Sequence, residues 1–202
     1  MKQLHRLTGI LTALFAVAHL LNHTTAWFGI ETHQQVLAAF RRLYRVPIIE
    51  VVLIGSFLFQ IVSGLRLSYA LWKNPTKTTF ENIQLASGML FALFLLQHIS
   101  ATLGQRLLLG VDTNFYFAAA VVLEKPLLYY FIPYYFVGIV AFGVHVANVH
   151  QKKIASFVGN QSAQIHFYTI IAIFTLIALL ILYVFTGNHF EISLPAEYRI
   201  FS

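Results

Sequence analysis

Histidine is the residue type of this sequence with the widest chemical range. The chain of 202 residues holds nine histidines against seven Asp and Glu residues, and it has no cysteine. Imidazole ligates haem iron and other metals, exchanges protons near neutral pH and hydrogen-bonds carbonyl oxygens. The missing thiol excludes disulfides, thiolate nucleophiles, cysteine-ligated iron–sulfur clusters and c-type haem attachment. Any metal chemistry must therefore use other ligands, and histidine is the first candidate.

Two histidines share a spacing that predicts a common depth in a helix bundle. His19 lies ten residues after Gly9 of a Thr-Gly pair, and His98 lies ten residues after Gly88 of a Ser-Gly pair. If both helices start on the same side, their constant rise places the two imidazoles at one level. Two neutral imidazoles on separate helices are a suitable ligand set for haem iron. The alternative is that each histidine only hydrogen-bonds a neighbouring helix.

The composition places these helices in a membrane. The chain is 58% hydrophobic and 10% charged, with a mean hydropathy of +0.74, whereas an average soluble domain is about 25% charged. A helix needs about 20 apolar residues to span the hydrocarbon core. Five segments approach or exceed that length: 7–28, 47–72, 83–109, 127–149 and 165–187. We therefore predict a single all-α domain over residues 1–202, an integral membrane bundle of five transmembrane helices.

The distribution of charge predicts a cytoplasmic N-terminus and an outside C-terminus. In that orientation the cytoplasmic side carries seven Lys and Arg residues and one Glu, a net charge of +6, and the other side carries six basic and six acidic residues. The excess of Lys and Arg on the cytoplasmic side agrees with the positive-inside rule. His19 and His98 then lie in the outer half of the membrane, roughly 20–25 Å from the inner ends of their helices.

Several residues lie near the predicted inner surface. His5 and Arg6 start the first segment, and Arg66 lies near the end of the second. Such side chains can hydrogen-bond a quinone carbonyl, or the arginines can reach the surface as membrane anchors. His145 precedes Lys152 by seven residues, which places it about 10 Å from the inner surface.

The remaining histidines carry weaker interpretations. His23 follows His19 by one helical turn and is an alternative ligand or an interface residue. His33 is expected in a loop. The other three lie near helix ends, where exposure is the usual state: His150, His166 and His189.

Short motifs follow one another in order along the first four segments. Leu-His-Arg-Leu-Thr-Gly occupies residues 4–9, and Ser-Gly-Leu-Arg occupies residues 63–66. The third and fourth segments contain Ser87 and Gly88 with His98, and Gly138 with His145 and Asn148. In order and spacing the chain resembles the cytochrome b membrane-anchor subunit of succinate dehydrogenase and fumarate reductase, of the single-chain, five-helix kind.

The resemblance implies a set of haem ligands. In two-haem members of this family, helices one and three ligate the outer haem, and helices two and four ligate the inner haem. His19 and His98 match the outer pair, and His145 matches the fourth-helix ligand. The matching position on the second helix, four residues before Gly64, holds Gln60, a poor ligand for haem iron. The inner site is then empty, or its iron is bound on one side only, or another group substitutes; we favour one haem b per chain.

The resemblance also implies partners and a location. Flavoprotein and iron–sulfur subunits would dock on the cytoplasmic face of a bacterial-type cytoplasmic membrane. They would carry the succinate or fumarate chemistry, so this chain would hold no catalytic residue for it. The chain would pass electrons between these subunits and a membrane quinone, ubiquinone or menaquinone, with His5, Arg6 and Arg66 as candidates for the quinone site.

Two other functions stay open at this point. Gln60 favours a structural anchor of the same complex that holds no haem. A transporter that uses histidines to move protons is the second alternative, although the predicted spans hold no carboxylate well inside them and no paired half-repeats. A nucleic-acid partner is not expected, because Lys and Arg in so apolar a chain are typical of cytoplasmic helix ends.

Overall fold

The computed structural model describes residues 1–199, and every regular element within them is a helix. The α-helices are α1 (Lys2–Thr24), α2 (Ile30–Tyr44), α3 (Pro47–Trp72), α4 (Thr79–Leu109), α5 (Phe115–Leu123) and α6 (Leu128–Phe185). Short 3-10 helices cover Thr25–Phe28 and Ala196–Tyr198. Four helical segments of this part of the chain are long and apolar enough to cross a membrane: α1 with the 3-10 turn that follows it, α3, α4 and α6. The prediction of an all-α protein with several membrane spans is confirmed.

The helix α6 is broken at Gly159, whose φ of 79° and ψ of 163° lie outside the helical region. Glycine adopts this conformation without the steric cost that a Cβ atom brings. Across the break, the His150 and His166 rings stack with centroids 5.4 Å apart, and Phe142 meets Phe174 at 5.2 Å. Both pairs are centred on residue 158, so the parts 128–158 and 160–185 run antiparallel to each other.

Local signals set the ends of the two helices that follow α2. Pro47 occupies the first turn of α3, where its missing N–H group costs nothing. Thr78 and Glu81 form a reciprocal capping box at the start of α4, and Gly110 ends that helix with a φ of 67°. The helix therefore starts at Thr79, four residues before the predicted span, and ends at Leu109 as predicted.

The connection between the first two predicted spans is not a loop. Residues 30–44 form α2, and His33 and Leu37, one turn apart, are buried on it. Side chains four residues apart share one face of a helix, so this short face packs into the bundle. The expectation that His33 lies in a loop is wrong: the residue is helical and only 1% exposed.

The segment 110–125, which connects the third and fourth predicted spans, contributes to the core. Its helix α5 buries Phe115 and Ala119 completely, and they belong to one apolar cluster with Phe142 and Phe174 of α6. A second apolar cluster joins α3 and α4 through Phe57 and other side chains. The outward faces remain strongly apolar, as lipid contact requires.

Candidate functional site

Four histidines from three helices form a connected cluster, called here the four-histidine cluster: His19 and His23 on α1, His33 on α2 and His98 on α4. The ring centroids of His19 and His98 are 5.9 Å apart. The Nε2 atoms of His19 and His23 are 3.2 Å apart, and Nδ1 of His23 lies 3.3 Å from Nε2 of His33. The cluster therefore includes both histidines of the repeated spacing and two more.

The rings of His19 and His98 lie close enough for one metal ion to bind both, with 5.9 Å between their centroids and an interplanar angle of 67°. With metal–nitrogen bonds of about 2 Å on each side, opposed imidazoles have ring centres roughly 6 Å apart. The residues lie on separate helices, at the common depth that their spacing predicts. Phe15 stacks on His19 at 5.8 Å and Phe94 stacks on His98 at 5.3 Å, so aromatic side chains hold both rings.

His33 is the member of the cluster that the sequence did not place. Asn22 donates from Nδ2 to Nε2 of His33 at 3.2 Å, and each residue is 1% exposed. The pKa of His33 is lowered to about 4, mainly by burial and then by electrostatic interaction with His19 and Arg41. The imidazole is therefore neutral at neutral pH. Its Nδ1 atom and the Oδ1 atom of Asn22 are buried without a hydrogen-bond partner among residues 1–199.

The four-histidine cluster borders a cavity of about 240 Å³, called here the main cavity. Its walls are largely apolar and aromatic, and all six α-helices contribute to them. The smallest residues of the lining are Ala16, Ala118 and Gly138. A Cβ atom at Gly138 would overlap the ring of Phe94, which stacks on His98. A flat apolar group that brings a metal between His19 and His98 would find apolar walls on its faces and edges.

One end of the main cavity is polar. Glu50 at the start of α3, Arg106 at the end of α4, and Thr113 and Asn114 just before α5 line it together with Arg45. An ion pair joins Glu50 and Arg106. The cavity therefore combines an apolar body, two neighbouring imidazoles and a charged end.

A second cavity of about 190 Å³ lies between α1, α3, α4 and α6, and it is called here the smaller cavity. His5, Gln60, Gln84 and His145 supply its polar lining. Gly88 borders it without a side chain, and a Cβ atom there would lie 3.0 Å from Cε1 of His145. The glycine of the repeated spacing on α4 therefore makes room for His145 rather than for His98.

The polar groups of the smaller cavity are partly engaged with one another. Gln60 donates from Nε2 to the carbonyl oxygen of His5 at 2.6 Å. Asn148 donates to Oε1 of Gln84 at 2.8 Å, which leaves the Gln84 amide nitrogen to donate to Nε2 of His145 at 3.1 Å. The nitrogen through which His145 would ligate a metal is therefore already an acceptor, and Gln60 is used to join α1 to α3.

The ring of His5 has a defined proton position. The Ser63 hydroxyl donates to the carbonyl oxygen of Phe59, so it accepts from Nδ1 of His5 at 2.7 Å. Nε2 is then the lone-pair nitrogen of the neutral ring. His5 can accept a hydroxyl proton at Nε2, or donate from it after taking up a proton.

The structure separates His5 from the two arginines considered with it. Arg6 and Arg66 are exposed, and neither of the two cavities includes them in its lining within residues 1–199. Gln84, which sequence reasoning missed, lines the smaller cavity instead. The only sequence signal for Gln84 is its place one turn before Gly88, on the face that meets His145.

The donor set fits a metal that brings most of its own ligands. Within residues 1–199, no three His, Asp or Glu side chains converge on a point where they could hold a bare metal ion. A haem needs only one or two axial ligands from the protein, because its macrocycle supplies the others. The His19–His98 pair therefore fits haem iron better than a bare metal.

Comparison with models of protein families, with curated proteins and with solved structures gave no match for this chain. The interpretation of the two cavities therefore depends on the residues that line them.

Proposed function

We propose that this chain is the haem b-containing membrane-anchor subunit of a succinate:quinone oxidoreductase, and that it passes electrons between a partner iron–sulfur subunit and membrane quinone. The observation that carries the proposal is the approach of His19 and His98 to 5.9 Å across two helices, beside an apolar cavity. The sequence resemblance supports the same assignment. The chain does not act on succinate or fumarate itself.

The proposal includes five membrane crossings. The antiparallel parts of α6, 128–158 and 160–185, are about 46 and 39 Å long at 1.5 Å per residue, and each is longer than the hydrocarbon core. With α1, α3 and α4 they make five spans. The charge distribution then places the N-terminus in the cytoplasm and the C-terminus outside, in a bacterial-type cytoplasmic membrane.

His19 and His98 would hold the haem as axial ligands, and the haem would supply one-electron transfer. The other residues of the site position these two rings. His23 retains His33 as a hydrogen-bond partner when Nε2 of His19 turns to a metal. The aromatic side chains of the main cavity exclude water, which favours the neutral imidazoles that ligation requires.

We propose a single haem per chain, with His145 outside the ligand set. The second-helix position holds Gln60, whose amide bonds the His5 carbonyl and the Thr8 hydroxyl. His145 accepts a hydrogen bond from Gln84. These contacts support the proposal that the smaller cavity binds a neutral polar ring rather than iron.

That ring is the head group of the quinone. Reduction of a quinone to a quinol takes up two electrons and two protons, so its site needs groups that hydrogen-bond both forms. His5 can accept from a quinol hydroxyl at Nε2, and a protonated His5 can donate to a quinone carbonyl. The Gln84 amide can give up its hydrogen bond to His145 and donate to the second carbonyl of the quinone instead. Arg6 and Arg66 stay candidates that would act at the entrance from the membrane surface.

The sequence resemblance implies the partners: electrons would arrive from a separate iron–sulfur subunit, with a flavoprotein subunit beyond it. The absence of cysteine in this sequence agrees with iron–sulfur clusters on another subunit. Both would dock on the cytoplasmic face.

Haem content and optical spectra of the purified chain test this proposal. We expect one b-type haem per chain, lost in His98→Ala and kept in His145→Ala. His166→Ala, which removes an exposed histidine, is the matched control. A colourless wild-type protein in an intact complex would instead identify a haem-free structural anchor. Two haems per chain, or loss of the same signal in His145→Ala, would overturn the assigned ligand pair.

A further inference from the structure

Three arginines lie close together and are called here the arginine cluster: Arg41, Arg45 and Arg106. Arg45 and Arg106 line the polar end of the main cavity, and Arg41 lies beside Arg45 outside that lining. Arg41 pairs with Asp112 through Nη1 at 2.8 Å, and Arg106 pairs with Glu50. Arg45 makes no salt bridge within residues 1–199; its Nη2 atom donates to the Thr113 hydroxyl at 3.5 Å. Three cations therefore share two carboxylates, and one positive charge is left over.

The cluster also holds donors without acceptors. Nε of Arg45 and both Nε and Nη2 of Arg41 are buried and have no hydrogen-bond partner in the described chain. A buried charged donor without an acceptor costs more than a neutral one. Burial lowers the pKa of Arg45, as do the neighbouring Arg41 and Arg106, whereas Tyr44 and Asp112 raise it. An oxyanion would supply acceptors for the unused donors.

Two members of the arginine cluster line the same cavity as the paired histidines. Arg45 and Arg106 line the main cavity with His19 and His98. Arg106 follows His98 on α4 by eight residues, which is about 12 Å along the helix axis. An occupant held between the two histidines and extending toward this end would present its far edge to the arginines.

We propose that the arginine cluster binds the propionate carboxylates of the haem held by His19 and His98, with Arg45 as the principal contact. This inference rests on the proposed function and extends it to a carboxylate-binding site. Guanidinium groups bind carboxylates through two parallel N–H···O bonds. Nε of Arg45 is one donor without a partner, and Arg41 beside it supplies two more. The Thr113 hydroxyl adds a neutral donor next to Arg45. The cluster thus fixes which edge of the haem faces the end of α4.

Reconstitution of the haem-free full-length protein tests this site. Wild type, Arg45→Gln, Arg45→Lys and the control Arg42→Gln, which changes an exposed arginine on the same helical turn, are titrated with haem and with haem dimethyl ester, whose propionates carry no charge. We expect Arg45→Gln to weaken haem binding about 10- to 100-fold, as for loss of a charge-assisted hydrogen bond. It should also lower the reduction potential, because uncompensated carboxylates favour ferric iron. Arg45→Lys should restore part of both, and Arg42→Gln should match wild type.

The ester identifies the source of the anion. We expect Arg45→Gln and wild type to bind the dimethyl ester equally, because the carboxylate charge is absent from both. An equal loss with haem and its ester, or no loss with either, would overturn the carboxylate site while leaving the proposed function intact. A variant that binds haem normally but loses affinity for vesicles of anionic phospholipid would assign the arginines to lipid phosphate instead. Failure of wild type to take up any haem would overturn the proposed function and this inference together.

Discussion

The side-chain amide of Gln60 on α3 donates to the backbone carbonyl of His5 on α1 at 2.6 Å. The same nitrogen donates to the Thr8 hydroxyl at 2.5 Å. In the family that the sequence resembles, this position carries a haem ligand. Here the side chain joins two helices, and its hydrogen bonds support the proposal of a single haem.

Gln60→Leu should lower the stability of the protein and leave its haem content unchanged. Two hydrogen bonds between α1 and α3 are lost, at about 0.5–1.5 kcal/mol each. Thermal unfolding in detergent measures the first effect and the haem spectrum the second. Gln164→Leu, at an exposed position of α6, is the control. A haem signal that disappears with Gln60 would place this residue at the iron.

His5→Asn should impair quinone reduction by the assembled complex more than Arg6→Ala or Arg66→Ala does. His5 lines the smaller cavity, and both arginines are exposed outside its lining. The substitution should change both kcat and KM for quinone, because asparagine cannot take up and release a proton as the His5 ring can. The haem spectrum should stay unchanged in all three variants. Equal losses in all three would instead support a site built from His5 and both arginines.

Gly143→Ala should destabilise the hairpin of α6. A Cβ atom at Gly143 would lie 2.5 Å from Cβ of Phe174, an atom next to the backbone, so the two parts of the helix must move apart. Overpacking of this kind costs about 1–3 kcal/mol. Gly55→Ala is the matched control: nothing lies within 4 Å of its added Cβ atom, and the change should be neutral or stabilising. Equal unfolding temperatures for the two variants would contradict this packing.

Stability should fall in acid in a way that depends on His33. The pKa of His33 is lowered from 6.5 to about 4 in the folded protein, so the unfolded chain takes up the proton first. The contribution of the neutral His33 ring to the free energy of unfolding is fully present above pH 6.5. It is lost as the pH falls toward about 4, by at most about 1.4 kcal/mol per pH unit. His33→Asn should flatten the dependence of unfolding on pH over this range, whereas His166→Asn should not. Parallel curves for wild type and His33→Asn would show that other groups cause the loss.

Much of the helical architecture could be predicted because it depends on composition and local signals. Apolar length identified the membrane segments, and the pattern of Thr78 and Glu81 capped α4 as such residues do. The helix α2 escaped prediction because its buried face is short. Only His33 and Leu37 are buried on it. Because His33 is polar, Leu37 is the one apolar residue that marks this buried face in the sequence.

The candidate site could likewise be predicted only in part. Equal spacing brought His19 and His98 to one level because every α-helix rises by the same amount per residue. Spacing does not report the rotation of a helix about its axis or the choice of neighbour. The contacts of His33 with His23, of Gln84 with His145, and of Arg45 with Thr113 join residues from 10 to 68 positions apart.

The sequence by itself determined that this protein is helical, that it suits a membrane, and that two of its histidines lie at one depth. These properties follow from transfer to an apolar solvent and from helix geometry, which act along the chain. Only the tertiary structure decided that the two histidines meet beside an apolar cavity, that Gln60 joins two helices, and that Arg45 has no carboxylate partner among residues 1–199. Those outcomes depend on which helix faces pack together, and that choice is made by the whole bundle.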